Sequence, residues 1–419
     1  MRKQKLIVNG GTKINGEIRL QGAKNSALPI LVASMLCDGE STITNCPRLS
    51  DVFATCRILK HLGCTCDING HNITIKSSGS HGQNIPDEMM REMRSSIVFL
   101  GAMLGKTHEC ILSYPGGCEL GPRPIDMHLS AFRRMGVCIK ERHGILDCKA
   151  EKGLRGAKIT LNFPSVGATE NIMLAAVLAN GETIIRNAAR EPEIVDLACY
   201  LNKCGARIRG AGDSTIRICG VKKLTGCEYR IMPDRIAAAT YISAAALTNG
   251  EITIKDIRPT DIDSFITLFE QMGCHIYTYA KNIYLNANKP LKPIRIIKTM
   301  PYPGFPTDAQ AVTMAALCKA NGTSVFEENI FENRYRHVDE LLRMGANIKV
   351  VGKAAVVEGV NKLYGAKVTA TDLRGGAALV IAAIDAEGIT EISEIKHIDR
   401  GYDSIEDVLS SVGARIYRE

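Results

Sequence analysis

Six stretches of the chain, 27–36, 96–104, 172–178, 236–247, 311–318 and 377–384, are apolar nearly all the way round a helical wheel. A helix with no polar face has no side to turn to water, so each predicts a helix enclosed by protein. After each stretch comes a glycine (Gly39, Gly105, Gly181, Gly250, Gly322, Gly388) and a short alternating segment such as Glu182-Thr-Ile-Ile-Arg-Asn187, which predicts a turn and a strand. Further on, each unit reaches an apolar residue followed by Gly and a small residue, at Gly63, Gly136, Gly205, Gly273, Gly345 and Gly413, spaced by 73, 69, 68, 72 and 68 residues. Two marks in register over the whole chain define an internal repeat. Each unit reads as strand, buried helix, glycine turn, strand, loop with Arg and acid, second helix and hairpin, a βαβαββ pattern repeated six times.

Six buried helices imply layers of helix wrapped by sheet, three units to a domain, with the division near residue 232. Where a strand meets each buried helix stand Lys24, Arg91 to Arg94, Ser165, Arg235, Asp308 and Arg374. A helix N-terminus carries about half a positive charge and free N–H groups, and a cation beside it strengthens an anion site. Any one of these residues would equally serve to solvate a helix end. The recurrence predicts that helix ends of both domains face a shared anion-binding cleft.

The repeat breaks once. Between the turn glycine and the second glycine the spacing is 24, 31, 24, 23, 23 and 25, so unit two carries an insertion, placed at Tyr114-Pro-Gly-Gly-Cys-Glu-Leu-Gly-Pro-Arg-Pro-Ile-Asp126. Three Gly and three Pro in that segment exclude helix and central strand and predict an exposed, mobile loop. Cys118 lies in it with Arg123 nearby, a setting that favours a thiolate. The other cysteines of the fifteen read as buried spacers, since they form no Cys-x-x-Cys pair and the close pair Cys64 and Cys66 lacks the neighbours of a zinc site.

Composition narrows the function classes. At 419 residues, 45% hydrophobic and 23% charged, the chain is long enough for two cores. The N-terminus has no apolar core of a signal peptide and no stretch approaches the roughly 18 residues of a membrane span, which predicts a cytoplasmic protein. A net charge of +8 favours anionic partners. Few aromatics (5%) and no long basic run argue against nucleic acid. No metal and no cofactor is expected.

The segments Gly22-Ala-Lys-Asn-Ser-Ala-Leu-Pro29, Pro115-Gly-Gly-Cys118, Gly121-Pro-Arg-Pro-Ile-Asp126, Ser165-Val-Gly-Ala-Thr169, Asn187-Ala-Ala-Arg-Glu-Pro-Glu193, Phe305-Pro-Thr-Asp308, Phe331-Glu-Asn-Arg334, Ala370-Thr-Asp-Leu-Arg374 and His397-Ile-Asp-Arg-Gly-Tyr402 resemble, in order, the signature segments of the UDP-N-acetylglucosamine 1-carboxyvinyltransferases, within the EPSP synthase family. The repeat alone would also suit the shikimate-pathway enolpyruvyl transferase or an RNA 3'-phosphate cyclase. The cysteine loop separates the chain from the shikimate enzyme. The resemblance implies a two-domain inside-out α/β barrel, with domain 22–232 and a second domain of 233–419 joined by residues 1–21, acting as a monomer on two small molecules, phosphoenolpyruvate and UDP-N-acetylglucosamine.

It also implies roles. Lys24, Arg123 and Arg400 would hold the phosphoenolpyruvate phosphate. Arg374 and Arg334 would serve its carboxylate or the supporting network, although the same pair would equally suit interdomain ion pairs. Arg94 would contact the nucleotide sugar, and the backbone of Arg123, Pro124, Ile125, Asp126 and Met127, of Ser165, Val166 and Gly167, and around Ile330 would cradle uridine and diphosphate. Cys118 fits the proton donor and a covalent phosphoenolpyruvate adduct, and Asp308 the base for the sugar hydroxyl, unless it is simply a first-turn helix acid. Asn25, expected to touch both substrates, and Asp372 are candidates for orienting the ketal. Phe163 stands where some relatives carry a lysine that approaches the diphosphate, so nucleotide contacts there are expected to be weaker or apolar.

Overall fold

The computed structural model describes residues 4–77, 82–116 and 125–419. They divide into two compact units, one holding residues 4–21 and 233–419, the other the described residues from 22 to 232. Each has its own apolar core.

Six helices form the inner layers: α1 (Lys24–Ser34), α2 (Phe99–Thr107), α3 (Val166–Ala176), α4 (Arg235–Leu247), α5 (Thr307–Leu317) and α6 (Leu373–Asp385). Every residue of α4 is buried, and α4, α5 and α6 pack on one another. Alanine and glycine along them let backbones approach. In the other unit Gly101 of α2 fits against α3: its N–H donates to Asn171 Oδ1 at 2.6 Å, and a Cβ there would stand 2.2 Å from the Asn171 carbonyl oxygen. The stretch expected to begin a helix at residue 96 starts instead as a 3-10 turn, Arg94–Val98. There Ser96 Oγ turns back to donate to the Met90 and Met93 carbonyls.

Around these helices lie six sheets of one pattern, a parallel pair extended by two antiparallel strands. Lys158–Thr160, for example, runs parallel to Glu182–Arg186, which pairs antiparallel with Thr215–Cys219, and that with Arg207–Arg209. The buried helix α3 connects the two parallel strands, the usual way to join parallel neighbours. At two places the connection is exchanged. Asn15–Arg19, which leads into α1, pairs with Glu251–Lys255 beyond α4, whereas Leu224–Thr225 and Glu228–Arg230, which lead into α4, pair with Cys37–Thr44 beyond α1. Leu6–Asn9 fills the sixth sheet between Ile389–Ser393 and Arg415–Arg418.

All six glycines that close the second helices adopt positive φ, between 88 and 105°. That region is open to glycine at little cost, and it lets the chain reverse into the next strand. The expected turn glycines divide. Gly39, Gly181, Gly322 and Gly388 have positive φ, but Gly105 lies inside α2 and the left-handed residue is His108, while Asn249 takes that role beside Gly250. Close approach accounts for both exceptions: a Cβ on Gly105 would meet the Leu174 carbonyl at 3.0 Å, and one on Gly250 the Ile14 carbonyl at 2.1 Å. Among the described residues no helix is long and apolar enough to cross a membrane.

Candidate active site

In the unit of residues 4–21 and 233–419, the N-termini of α5 and α6 carry the candidates. Pro306 precedes α5 and puts Asp308 in its first turn. Asp308 Oδ1 lies 3.1 Å from Arg334 Nη2 and Oδ2 lies 3.4 Å from Arg374 Nη2. Both guanidinium groups are almost fully buried, at 1 and 2% exposure, while Asp308 keeps 28%. Arg334 also donates to the Thr307 carbonyl at 2.9 and 3.2 Å. Arg374 donates to Tyr402 Oη at 3.2 Å, and that hydroxyl meets Thr240 Oγ1 at 2.7 Å. Burial alone would weaken the proton affinity of Arg374, but Tyr402, Asp308 and Asp234 outweigh it and raise its pKa.

Asp372 caps α6, accepting from the Arg374 and Gly375 N–H groups at 3.0 Å each. Burial pushes its pKa up, but Arg334, His337 and the two cap N–H groups prevail and lower it. His337 is wholly buried beside this cap, and neither ring nitrogen makes a hydrogen bond of ordinary geometry. Burial, aided by Arg334 and opposed by Asp372, lowers its pKa to about 4. Glu328 shapes the segment at Ile330. Its Oε1 accepts from the Ile330 and Phe331 N–H groups at 2.8 and 3.2 Å, and Oε2 from Thr307 Oγ1 at 3.0 Å. Ile330 is thereby tied to the start of α5. Arg400 is half-buried at the end of a 3-10 turn, Ile395–Arg400, packed on α6.

In the unit 22–232, Lys24 opens α1 and is buried, its Nζ 2.7 Å from Asp51 Oδ2. Asn25 follows, half-buried. Arg94 opens the 3-10 turn and donates to the Pro115 carbonyl at 3.1 Å. Ile125, Asp126 and Met127, at the start of the helix Asp126–Arg134, line a cavity of about 560 Å³ with Leu161 and Asn162. A few residues on, Ser165 caps α3 through the Ala168 N–H at 3.3 Å, and Val166 and Gly167 form its first turn. His128 links the two segments. It packs against Gly167, and its Nδ1 meets Asn171 Nδ2 at 2.8 Å. Since the amide nitrogen donates, that ring nitrogen is an acceptor and the imidazole is neutral; burial, and then Arg94, lower its pKa to about 4. Phe163, just before Ser165, is 41% exposed. Cys118, Arg123 and Pro124 lie outside the described residues.

The candidates thus gather within each unit: Asp308, Arg334, Arg374 and Asp372, with Ile330 near, in one; Ile125 to Met127 with Ser165 to Gly167, and Lys24 on α1, in the other. A cation at a helix start opposes the dipole and calls for something anionic to offset it. For Lys24 and Arg374 the protein supplies a carboxylate itself. Sequence reasoning missed Asp51, Glu328, His128 and His337. Asp51 stands 27 residues from Lys24 on another helix, with no local mark of the pairing. Glu328 was findable, as an acid two residues before Ile330 beside a quoted motif.

These sheets and helices have the fold of the enolpyruvyl transferases. The enolpyruvyl transferase NikO from Streptomyces tendae superposes with a TM-score of 0.88 at 23% identity over 99% of each chain, and EPSP synthase from Acinetobacter baumannii with 0.78 at 20% over 100% of each. The model of the EPSP synthase (3-phosphoshikimate 1-carboxyvinyltransferase) family matches residues 8–409, and the chain belongs to that family. Within it, the chain is 50% identical to UDP-N-acetylglucosamine 1-carboxyvinyltransferase 2 of Caldanaerobacter subterraneus subsp. tengcongensis over 99% of both chains. It is 47% identical to UDP-N-acetylglucosamine 1-carboxyvinyltransferase of Trichlorobacter lovleyi, again over 99% of both.

Proposed function

We propose that the chain transfers the enolpyruvyl group of phosphoenolpyruvate to the 3'-hydroxyl of UDP-N-acetylglucosamine with release of phosphate, in the cytoplasm, as the first committed step of peptidoglycan synthesis. The observation that carries this reading is the full-length likeness to relatives named for that reaction, half of all positions being identical in one of them. Cys118 protonates the methylene carbon and can add to C2 as a covalent adduct; the phosphoenolpyruvate-like epoxide fosfomycin would alkylate the same sulfur. The sugar oxygen attacks C2 as Asp308 takes its proton, giving a tetrahedral ketal. Loss of a proton from the new methyl group and of the C–O bond to phosphate completes the transfer. Lys24, Arg123 and Arg400 hold the phosphate. The cavity at Ile125 to Met127, Arg94 and the start of α3 receive the nucleotide sugar.

Both oxygens of Asp308 are engaged by guanidinium groups. A substrate carboxylate that draws Arg374 to itself would free one oxygen to accept the hydroxyl proton, so phosphoenolpyruvate binding would strengthen the base. Asp372, fixed by two N–H groups, keeps its charge to orient the ketal, and Asn25 serves the same end. Phosphate release from phosphoenolpyruvate is expected with UDP-N-acetylglucosamine and not with shikimate-3-phosphate. Release with the latter at the higher kcat/KM would overturn the assignment.

A further inference from the structure

Thirteen of the fifteen cysteines lie between residues 22 and 232. Most described ones are buried and sealed, such as Cys110 and Cys148, opposite each other on neighbouring strands and both inaccessible. Cys204 and Cys227 differ. Their Sγ atoms are 3.5 Å apart, and while Cys204 is buried, Cys227 is partly exposed. Both backbones are pinned: the Cys204 carbonyl accepts from the Thr225 N–H at 2.9 Å and the Cys227 carbonyl from the Thr42 N–H at 3.1 Å. A third thiol, Cys37, also interacts with Cys204 and lies 3.8 Å from Tyr200 Oη.

We propose that Cys204 and Cys227 are a redox-active dithiol that hydroperoxides convert to a disulfide. A disulfide needs sulfurs about 2.05 Å apart, so only a small side-chain movement separates the pair from the bond. Cys227, the one oxidant can reach, attacks the hydroperoxide; the O–O bond breaks, one oxygen stays as a sulfenic acid and the other leaves as water or alcohol. Cys204 then attacks the sulfenic sulfur, the S–S bond forms, and hydroxide leaves with the Cys204 proton as water. Two thiols lose two hydrogens and two electrons, and the peroxide gains them. Thiol–disulfide exchange with a small dithiol reverses the bond. Burial, and then Cys204, raise the pKa of Cys227 to about 12, so the pair reacts more slowly than an ionised thiol. The site of linkage is therefore the readout, not the rate.

The bond would fasten the C-terminal end of the helix Pro192–Lys203 to the strands Leu224–Thr225 and Glu228–Arg230. Those strands run on to Met232, whose N–H donates to Asp196 at 3.2 Å; Asp196 in turn accepts from Tyr229 Oη at 2.6 Å and from Ser26 Oγ in α1. The crosslink thus stiffens the frame on which α1 and Lys24 are mounted.

The test is hydrogen peroxide treatment of the full chain, capping with a maleimide, digestion without reductant and mass spectrometry. The expected product is one linked pair of peptides, Cys204 to Cys227, two hydrogens lighter than the reduced pair and absent after dithiothreitol, with maleimide capture of Cys227 reduced on the order of tenfold. Cys204→Ser should leave Cys227 as a sulfenic acid trapped by a cyclic dione. Oxidation of Cys227 in the unmodified chain to sulfinic acid without a link, or linkage of Cys204 to Cys37 in preference, overturns the proposal. The unmodified chain alone decides between these outcomes, whether or not the variant folds.

Discussion

The two units share one plan of strands and helices and differ in what their buried helices carry at the N-terminus. In the unit of residues 4–21 and 233–419 every one of the three has a carboxylate: Asp234 caps α4, Asp308 lies in the first turn of α5, and Asp372 caps α6. In the unit 22–232 none has an acid in its first turn, and the one side-chain cap is the neutral hydroxyl of Ser165. The positive end of the helix dipole meets an acid of its own helix start in the first case; in the second it does not, and at α1 the nearby carboxylates, Asp51 and Asp196, come from other helices. In the proposed reaction one repeat would serve two tasks, holding carboxylates in place for proton chemistry in one unit and receiving phosphates in the other.

The sharpest way to break that comparison is Asp308→Asn, which keeps the shape and removes the base. Turnover should fall by on the order of 10² to 10⁴, with the KM for UDP-N-acetylglucosamine changed far less. Near-normal kcat would return Asp308 to the status of a first-turn helix acid. In the other unit, Asp51→Ala removes the carboxylate that pairs with Lys24 at the start of α1 and leaves Lys24 buried. Breaking a buried pair costs about 3 kcal/mol, to be read as a lower urea midpoint. Because the vacated Lys24 should then hold anions more tightly, phosphate should restore part of the lost stability. No recovery with phosphate would count against Lys24 as a phosphate ligand.

Among the described residues each unit holds one buried neutral histidine, and the pair predicts a pH effect of known sign. His128 and His337 have folded pKa values near 4 against an ordinary 6.5. Between those values the unfolded chain binds more protons, so stability falls as pH drops from about 6.5 to 4 and is unaffected by them above. Each contributes about 3 kcal/mol across that window. His128 faces Arg94, and His337 faces Arg334 and Asp372. At neutral pH the two should differ: His128→Leu leaves one N–H of the Asn171 amide unpaired and costs about 1 kcal/mol, whereas His337→Phe removes nitrogens that make no hydrogen bond of ordinary geometry and costs less. Urea midpoints from pH 4 to 8 check both, and a slope unchanged by either substitution would rule out that histidine as its source.

Much of this arrangement is legible in the sequence because it repeats. Apolar helices and closing glycines are local signals, and they mark all six units. The turn glycines misled at Gly105 and Gly250, where a glycine needed for backbone approach cannot be told from one needed for a turn without knowing the neighbour. The exchanged strands at Asn15–Arg19 and Glu228–Arg230 left no local trace, since pairing across 236 and 186 residues depends on packing and not on composition. Asp308 and Arg374 were readable as charge at a buried helix start, but their mutual pairing, and that of Lys24 with Asp51, belongs to tertiary structure alone.

The smallest expected effect is at Phe163, and it tests whether the phosphate-receiving unit is tuned by charge beyond its helix ends. The ring is 41% exposed one residue from Pro164 and two from the Ser165 cap, so it has little packing to lose. Phe163→Lys should therefore leave the unfolding midpoint within about 0.5 kcal/mol of the original. If the diphosphate of the nucleotide sugar lies against the start of α3, the added ammonium should tighten binding a few-fold. An exposed charge pair is worth up to about 1 kcal/mol, and salt over a Debye length of about 10 Å at 0.1 M should erase the gain. Calorimetric titration with UDP-N-acetylglucosamine at low and high salt reads both. Tighter binding that persists at high salt would mean the lysine acts by some route other than charge, and unchanged binding at both would place the diphosphate away from α3.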